Sequence, residues 1–357
     1  MAGPYVHCLV TREALKKLYG DLSLAAYQTI TNPDEAAKYF SYVCLGSVSP
    51  DLPYPALAMG INAGKDRYGW TWGDKFHKQN TGDFVDIGMQ HLRAITDRTD
   101  DQFLKKAAWL MGYYSHVITD LAIHAVVYKL VGGCYENHKH DHLHSEVVQD
   151  SLLFYEVYSN PPQELIDVRL IKGILERCHI ESPLTPPDDQ VPTYIPPVGL
   201  DTDIKILWDS ILSQNYTDFY STELPDIDNW FLEYSAIMSV ATKVVARTAA
   251  PDMAYHRTAD IPPDDKTRYY SNITLPDRTT GGYKVKVFDK AVDEVTKRLS
   301  TFLNTINDTN IYTFLKNDLR PWNIDKGTVN DADPHFALWN GQTEFPSECH
   351  GDPPGSS

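Results

Sequence analysis

The sequence predicts an all-α protein, a multi-helix bundle. Apolar residues recur at helical spacing in segment after segment. No two segments alternate as paired strands would, and Pro- and Gly-rich stretches separate the periodic runs. Residues 9–27 read as the first helix, with Thr11 as its N-cap and Leu15, Leu18 and Leu22 along one side. Residues 33–45 read as the second, opening near Pro33 and stopped by Gly46 and Pro50. A loop rich in Gly, Pro and Trp follows over 51–75, then an amphipathic helix over 82–97. Residues 101–130 form the most apolar helix. Its run Ala107-Ala-Trp-Leu-Met-Gly-Tyr-Tyr raises the question of a membrane span. The embedded His116, Asp120 and His124 argue against one, because a carboxylate at a bilayer centre costs about 2.5–3.5 kcal/mol. Such a helix is the centre of a large core. A His-rich loop over 131–141 leads into helices over 142–158 and 164–178. The Pro-rich stretch 182–199 is irregular, and helices return at 202–214, 226–249 and 285–306. Tyr283-Lys-Val-Lys-Val-Phe288 suits a short strand. Residues 1–325 read as one domain: 1–155 carries the chemistry and 156–325 is helical and loop elaboration. Residues 326–357 read as a loosely structured tail.

The chain has 357 residues, 42% of them hydrophobic, enough for a sizeable core. Its 32 basic and 48 acidic residues leave a net charge of −16. An acidic surface repels phosphate backbones, which argues against double-stranded nucleic acid as a partner. The cysteines Cys8, Cys44, Cys134, Cys178 and Cys349 are odd in number and widely spaced. They indicate neither a disulfide framework nor a thiolate zinc site. The N-terminus lacks a basic stretch followed by an apolar one. That reads as a cytoplasmic chain, or a secreted form whose leader has been removed.

His116, Asp120 and His124 stand at i, i+4 and i+8. Four residues at about 100° each leave a drift of about 40°, so all three share one helix face. His142, Glu146 and Asp150 repeat the spacing on the next helix. The short connection favours antiparallel packing, which sets two ligand-capable stripes against each other inside an apolar bundle. Burying such groups unpartnered costs several kcal/mol each, and a metal cluster removes that cost. The competing account is a hydrogen-bonded or solvated pair of polar helices. Alone, Asp51 after Pro50 suits a turn, and His77 and His7 are unremarkable.

In order along the chain, these segments resemble the zinc-dependent phospholipase C family, which shares its helical architecture with S1/P1-type nucleases. The matching stretches are Pro4-Tyr-Val-His7-Cys-Leu-Val-Thr; Leu45-Gly46-Ser-Val-Ser-Pro50-Asp51; Phe76-His77-Lys; Gly112-Tyr-Tyr-Ser-His116-Val-Ile-Thr-Asp120-Leu-Ala-Ile-His124; and His142-Leu-His-Ser-Glu146-Val-Val-Gln-Asp150. The resemblance covers about the first 155 residues. The four-residue step from Asp120 to His124 is closer to the catalytic domain of glycosylphosphatidylinositol phospholipase D than to the secreted bacterial enzymes. The resemblance implies a phospholipase C/P1 nuclease-like bundle with a metal site between central helices. It implies three metal positions: Asp51, His77, His116 and Asp120 at one; His124, His142 and Glu146 at a second; His7 at a third, with Asp120 bridging.

The implied cofactor is zinc, two or three ions, although histidine and carboxylate donors also suit iron or manganese. The implied reaction is hydrolysis of a phosphodiester, in a small molecule or a phospholipid headgroup. Asp51 is the candidate to orient or deprotonate the attacking water. Asp150 and His144 are candidates for an outer layer behind the ligands. A single-strand nuclease or phosphatase on the same scaffold, and a non-hydrolytic metal-dependent enzyme or binding protein, are the competing functions. His138 and His140 read as parts of a solvated loop. Tyr54, Tyr68, Trp70 and Trp72 either line the mouth of the site or pack in the core.

Overall fold

The computed structural model describes residues 3–34, 37–54, 71–133, 135–157, 178, 199–240, 261–306, 308–330, 333 and 335–339. The helix expected over 164–178 (apart from Cys178), nearly all of the Pro-rich stretch, the second part of the 226–249 helix and the chain beyond 339 lie outside the described residues. The fold is all-α. The main helices are α1 (Pro4–Leu18), α2 (Lys38–Val48), α3 (Trp72–Lys78), α4 (Thr81–Ala94), α5 (Asp101–Val131), α6 (Tyr135–Val157), α7 (Thr202–Asn215), α8 (Ile227–Val240), α9 (Asp289–Thr305) and α10 (Thr309–Asp318). A two-residue antiparallel ribbon pairs Ile273 with Gly281 and Thr274 with Thr280.

Helix α5 is the axis of the bundle and lies against α1, α2, α4, α6, α7 and α9. It is buried from Lys106 to Tyr128, as expected for a helix apolar nearly all round. Asp100 caps its start by accepting from Gln102 N (3.2 Å), and Gly132, at φ +81°, ends it with an N–H to Tyr128 O (2.9 Å). Helix α2 crosses α5 at very close range. A Cβ on Gly46 would lie 2.0 Å from the Trp109 carbonyl oxygen, and one on Gly112 would lie 1.9 Å from that of Val43. Only glycine at both positions admits this approach. Gly46 therefore sits inside α2 rather than stopping it.

Other boundaries also differ from the sequence reading. Helix α1 begins at Pro4, so Thr11 is not a cap but an interior residue whose hydroxyl meets that of Ser115 at 2.8 Å. The cap comes from a distant helix: Asp150 on α6 accepts from Val6 N (2.8 Å) and Tyr5 N (3.3 Å). The helix ends at Leu18, and the chain turns through Gly20 at φ +89° into a 3-10 turn, Leu22–Tyr27. Helix α6 starts at Tyr135, with a kink at His138, so much of the expected His-rich loop is helical. Lys284–Phe288 is a π-helical turn leading into α9, not a strand. Its buried residues Tyr283, Val287 and Phe288 follow helical spacing. Residues 322–330 and 335–339, read as tail from 326 onward, are fastened to α3, α4 and α5. Thr81 Oγ1 donates to Trp322 O (3.0 Å), Ile324 N to His77 O (2.7 Å) and Trp339 Nε1 to Ala122 O (2.8 Å).

Candidate metal centre

Three elements converge on one face of α5. His116, Asp120 and His124 lie along that face, 0, 0 and 3% exposed. Helix α1 brings His7, and the 3-10 turn Ser49–Asp51 at the end of α2 brings Asp51. Helix α3 brings His77, and its first turn falls within the 51–75 stretch expected to be loop. A capping box starts that helix: Thr71 accepts from Asp74 N (3.3 Å) while the Asp74 carboxylate accepts from Thr71 N (3.0 Å). The Thr71-x-x-Asp74 pattern was legible in the sequence and is the signal that finds α3.

The Asp120 carboxylate stands between two groups of histidines. Its Oδ2 lies 3.1 Å from His116 Nε2 and 3.7 Å from His77 Nε2. Its Oδ1 lies 3.3 Å from His7 Nε2 and 3.4 Å from His124 Nε2. Asp51 Oδ1 closes the first group, 3.2 Å from His77 Nε2 and 4.0 Å from His116 Nε2. The ligand atoms of His7, His116 and Asp120 all fall within 4.8 Å of one another, as do those of Asp51, His77 and His116. The His7 and His116 rings stack at 4.1 Å.

Three of the histidines spend Nδ1–H on a backbone carbonyl: His77 on Gly73 O (2.8 Å), His116 on Ser47 O (2.9 Å) and His124 on Asp325 O (3.0 Å). A carbonyl only accepts, so each ring carries a proton on Nδ1 and turns Nε2 inward. Orienting partners of this kind accompany metal-ligating histidines. The His77 and His116 Nε2 atoms then face each other at 3.3 Å, lone pair to lone pair, unless a proton or a cation lies between them. Both Asp120 oxygens, Asp51 Oδ1, His124 Nε2 and both His7 ring nitrogens are buried without an aligned hydrogen-bond partner. Such orphaned donors and acceptors are costly in a protein interior. A divalent cation satisfies them together, and nitrogen and oxygen donors without thiolate suit zinc.

The electrostatics fit. Burial pushes the His7 and His124 imidazoles down, His124 to about 3, which keeps them neutral. Burial would raise Asp120, but the His124, His116 and His7 rings outweigh it and hold the carboxyl well below the usual range. Burial also opposes ionisation of Asp51, and His116 and His77 overcome it. His77 is lowered by burial, yet Asp51, Asp325 and Asp120 raise it to about 9, so without metal this ring holds the proton of the cluster.

A family model described as zinc dependent phospholipase C matches residues 6–217, more than half of the chain. This chain belongs to the zinc-dependent phospholipase C family. No curated protein and no solved structure matches it. As a phospholipase C family member the chain is a zinc-dependent hydrolase by class, and its buried His and Asp groups are of the kind that hold zinc. Among the described residues, no helix is long and apolar enough to cross a membrane.

The other candidates of this phospholipase C family chain sit around that group. His142 is 2% exposed and directs Nε2 to Gly133 O (3.0 Å), the reverse of the other rings. Burial lowers it to about 4. Glu146 is 5% exposed and raised by burial to about 7. Among the described residues, neither joins a trio of donors as close as those around His116. Asp150 caps α1 and so positions the helix that carries His7. His144 points elsewhere and meets Asp265 Oδ2 at 2.9 Å. His140 is an exposed residue beside Asp141. Trp72 packs in the core against Phe76, Phe219 and Trp230, whereas the Tyr54 hydroxyl lies 3.3 Å from His77 Nδ1. Tyr68 and Trp70 lie outside the described residues. Sequence reasoning missed Asp325, which carries no local motif.

Proposed function

We propose that the chain hydrolyses a phosphodiester, in a phospholipid or a related small molecule, at a cluster of two or three zinc ions. His7, Asp51, His77, His116, Asp120, His124, His142 and Glu146 would hold them. The observation that carries this reading is Asp120: one buried carboxylate offers an oxygen to each of two histidine groups. Zinc bound there would supply positive charge to neutralise phosphoryl oxygens and would lower the pKa of water towards about 7. The remaining work falls to the chain. His77, His116 and His124 are pre-set with Nε2 inward, so the rings reorganise little on binding, and His77 gives up its proton there. Asp51 is ionised and, at 6% exposure, the most open of the six close donors. It accepts a hydrogen bond from the attacking water and aligns it. Residues 1–325 form one catalytic domain in this reading, and the fastening of 335–339 to α5 extends it.

Metal analysis of chelator-free protein should give two or three zinc ions per chain; a chain carrying no metal would sink the reading. Assays of the loaded protein with a choline phospholipid, single-stranded nucleic acid and a generic phosphodiester should show turnover of the first and third. Turnover of nucleic acid alone would transfer the function to the nuclease class.

A further inference from the structure

We infer that the turn Trp322–Val329 is a strap that completes the metal centre from outside the region matched to the family, with Asp325 as its positioning residue. The inference rests on the zinc reading above. The family match ends at residue 217, yet the strap touches both sides of the cluster. Ile324 N donates to the carbonyl of His77, tying down the last turn of α3. The next residue, Asp325, accepts the Nδ1–H of His124 on its carbonyl (3.0 Å). His77 faces Asp120 Oδ2 and His124 faces Asp120 Oδ1, so successive strap residues serve the two halves of the bridging carboxylate.

The strap is built to hold this position. Asn323 is fully buried and its Oδ1 accepts from Lys326 N (3.0 Å), while Thr328 N donates to Asn323 O (3.0 Å). Gly327, at φ +70°, lets the turn lie flat on α5: a Cβ there would come within 2.9 Å of Ala125 N and 3.2 Å of Leu121 O. Ala337 N returns to Gly327 O (2.9 Å), and Trp339 anchors the far end on Ala122 O (2.8 Å). These contacts fall on the turn of α5 that carries His124. The Asp325 carboxylate is set by Lys78, with Nζ 3.4 Å from Oδ2, on the residue whose carbonyl meets His124 and beside the one whose N–H meets His77. The carbonyl thus fixes which ring nitrogen of His124 carries the proton, and the carboxylate adds an anion beside the donors. Both favour a bound cation.

Two variants test the two parts. Gly327→Val cannot adopt the left-handed turn and should lift the strap from α5. Asp325→Asn keeps the carbonyl and removes only the charge. Zinc affinity is read by chelator competition on the full chain, and ring protonation by 15N NMR of the histidines in chelator-treated protein. In Gly327→Val, affinity for at least one zinc should fall by about 10–100-fold, the range for lost outer partners of metal ligands, and His124 should gain the Nε2–H form. In Asp325→Asn, affinity should fall with the His124 tautomer unchanged. A folded Gly327→Val chain with wild-type affinity and an unmoved His124 spectrum would overturn the carbonyl role. Wild-type affinity in Asp325→Asn would overturn the carboxylate role. Should Gly327→Val not fold, Gly327→Ala makes the same test with the smaller intrusion. If the wild-type chain binds no zinc, the zinc reading fails and the strap falls with it; if it binds zinc and the variants bind equally, only the strap fails.

Discussion

Asp120→Asn changes one atom and strikes at the join between the two histidine groups. The amide keeps the shape of the carboxylate but replaces one oxygen with an NH2 and deletes the charge. Whichever way it turns, one group of histidines loses its anionic donor: His116 and His77 at 3.1 and 3.7 Å, or His7 and His124 at 3.3 and 3.4 Å. Asp120 is fully buried, so solvent does not compensate. Removing one partner of a buried charge pair costs about 3–5 kcal/mol, which is roughly two to four decades in zinc affinity. The metal-free protein should respond as well, because there the histidines around the carboxylate favour its ionised form and so stabilise the fold. The D120N chain without zinc should therefore melt below the wild-type chain without zinc. With zinc, the wild type should gain stability by mass action and the variant much less. Zinc content after gel filtration, chelator competition and paired thermal melts read all three quantities. A folded D120N chain with the full zinc complement and the wild-type thermal gain would refute the bridging role.

Gly112→Ala places a methyl 1.9 Å from the Val43 carbonyl oxygen, so α2 must retreat from α5. Overpacking of this kind costs about 1–3 kcal/mol or more, and because Asp51 follows α2 the variant should lose zinc as well as melting temperature. Asp150→Ala leaves the buried N–H groups of Tyr5 and Val6 unsatisfied, at about 1–3 kcal/mol each, and should weaken metal binding through His7; Asp150→Asn, which can still accept one of them, should lose less by urea titration. For pH, the sign follows from Glu146 at about 7, Asp150 at about 8 and His77 at about 9, all raised on folding. The folded metal-free protein holds these protons longer than the unfolded chain, so its stability should fall between about pH 6.5 and 9, while the depressed His124 and His142 are already neutral there. Over the same window zinc affinity should rise, with proton release on binding measurable in weakly buffered calorimetry; a pH-independent affinity would contradict the assignment of His77 as the proton holder.

Side-chain periodicity carried most of what the order of residues reveals. The i, i+4, i+8 spacing puts His116, Asp120 and His124 on one face whatever surrounds them, because helix geometry alone sets that face. An apolar run of that length makes α5 the core helix. Thr71 and Asp74 also announced α3, through a capping pattern that the loop-like composition around it masked. Helix α1 shows where such reading stops. Proline at its first position is the one local mark of its start; the cap is a carboxylate from residue 150, so the sequence offered Thr11 as the nearest plausible cap.

The tertiary structure alone decided the approach of α2 to α5, since Gly46 and Gly112 signify a close crossing only when the facing backbones are known. It alone decided the histidine tautomers, because the acceptors are the carbonyls of Gly73, Ser47 and Asp325 and every residue type carries one. It alone brought residues 322–330 and 335–339 back across the site, 201 positions beyond His124 at the Asp325 contact. Side chains write their chemistry into the sequence; backbone groups recruited over long distances do not.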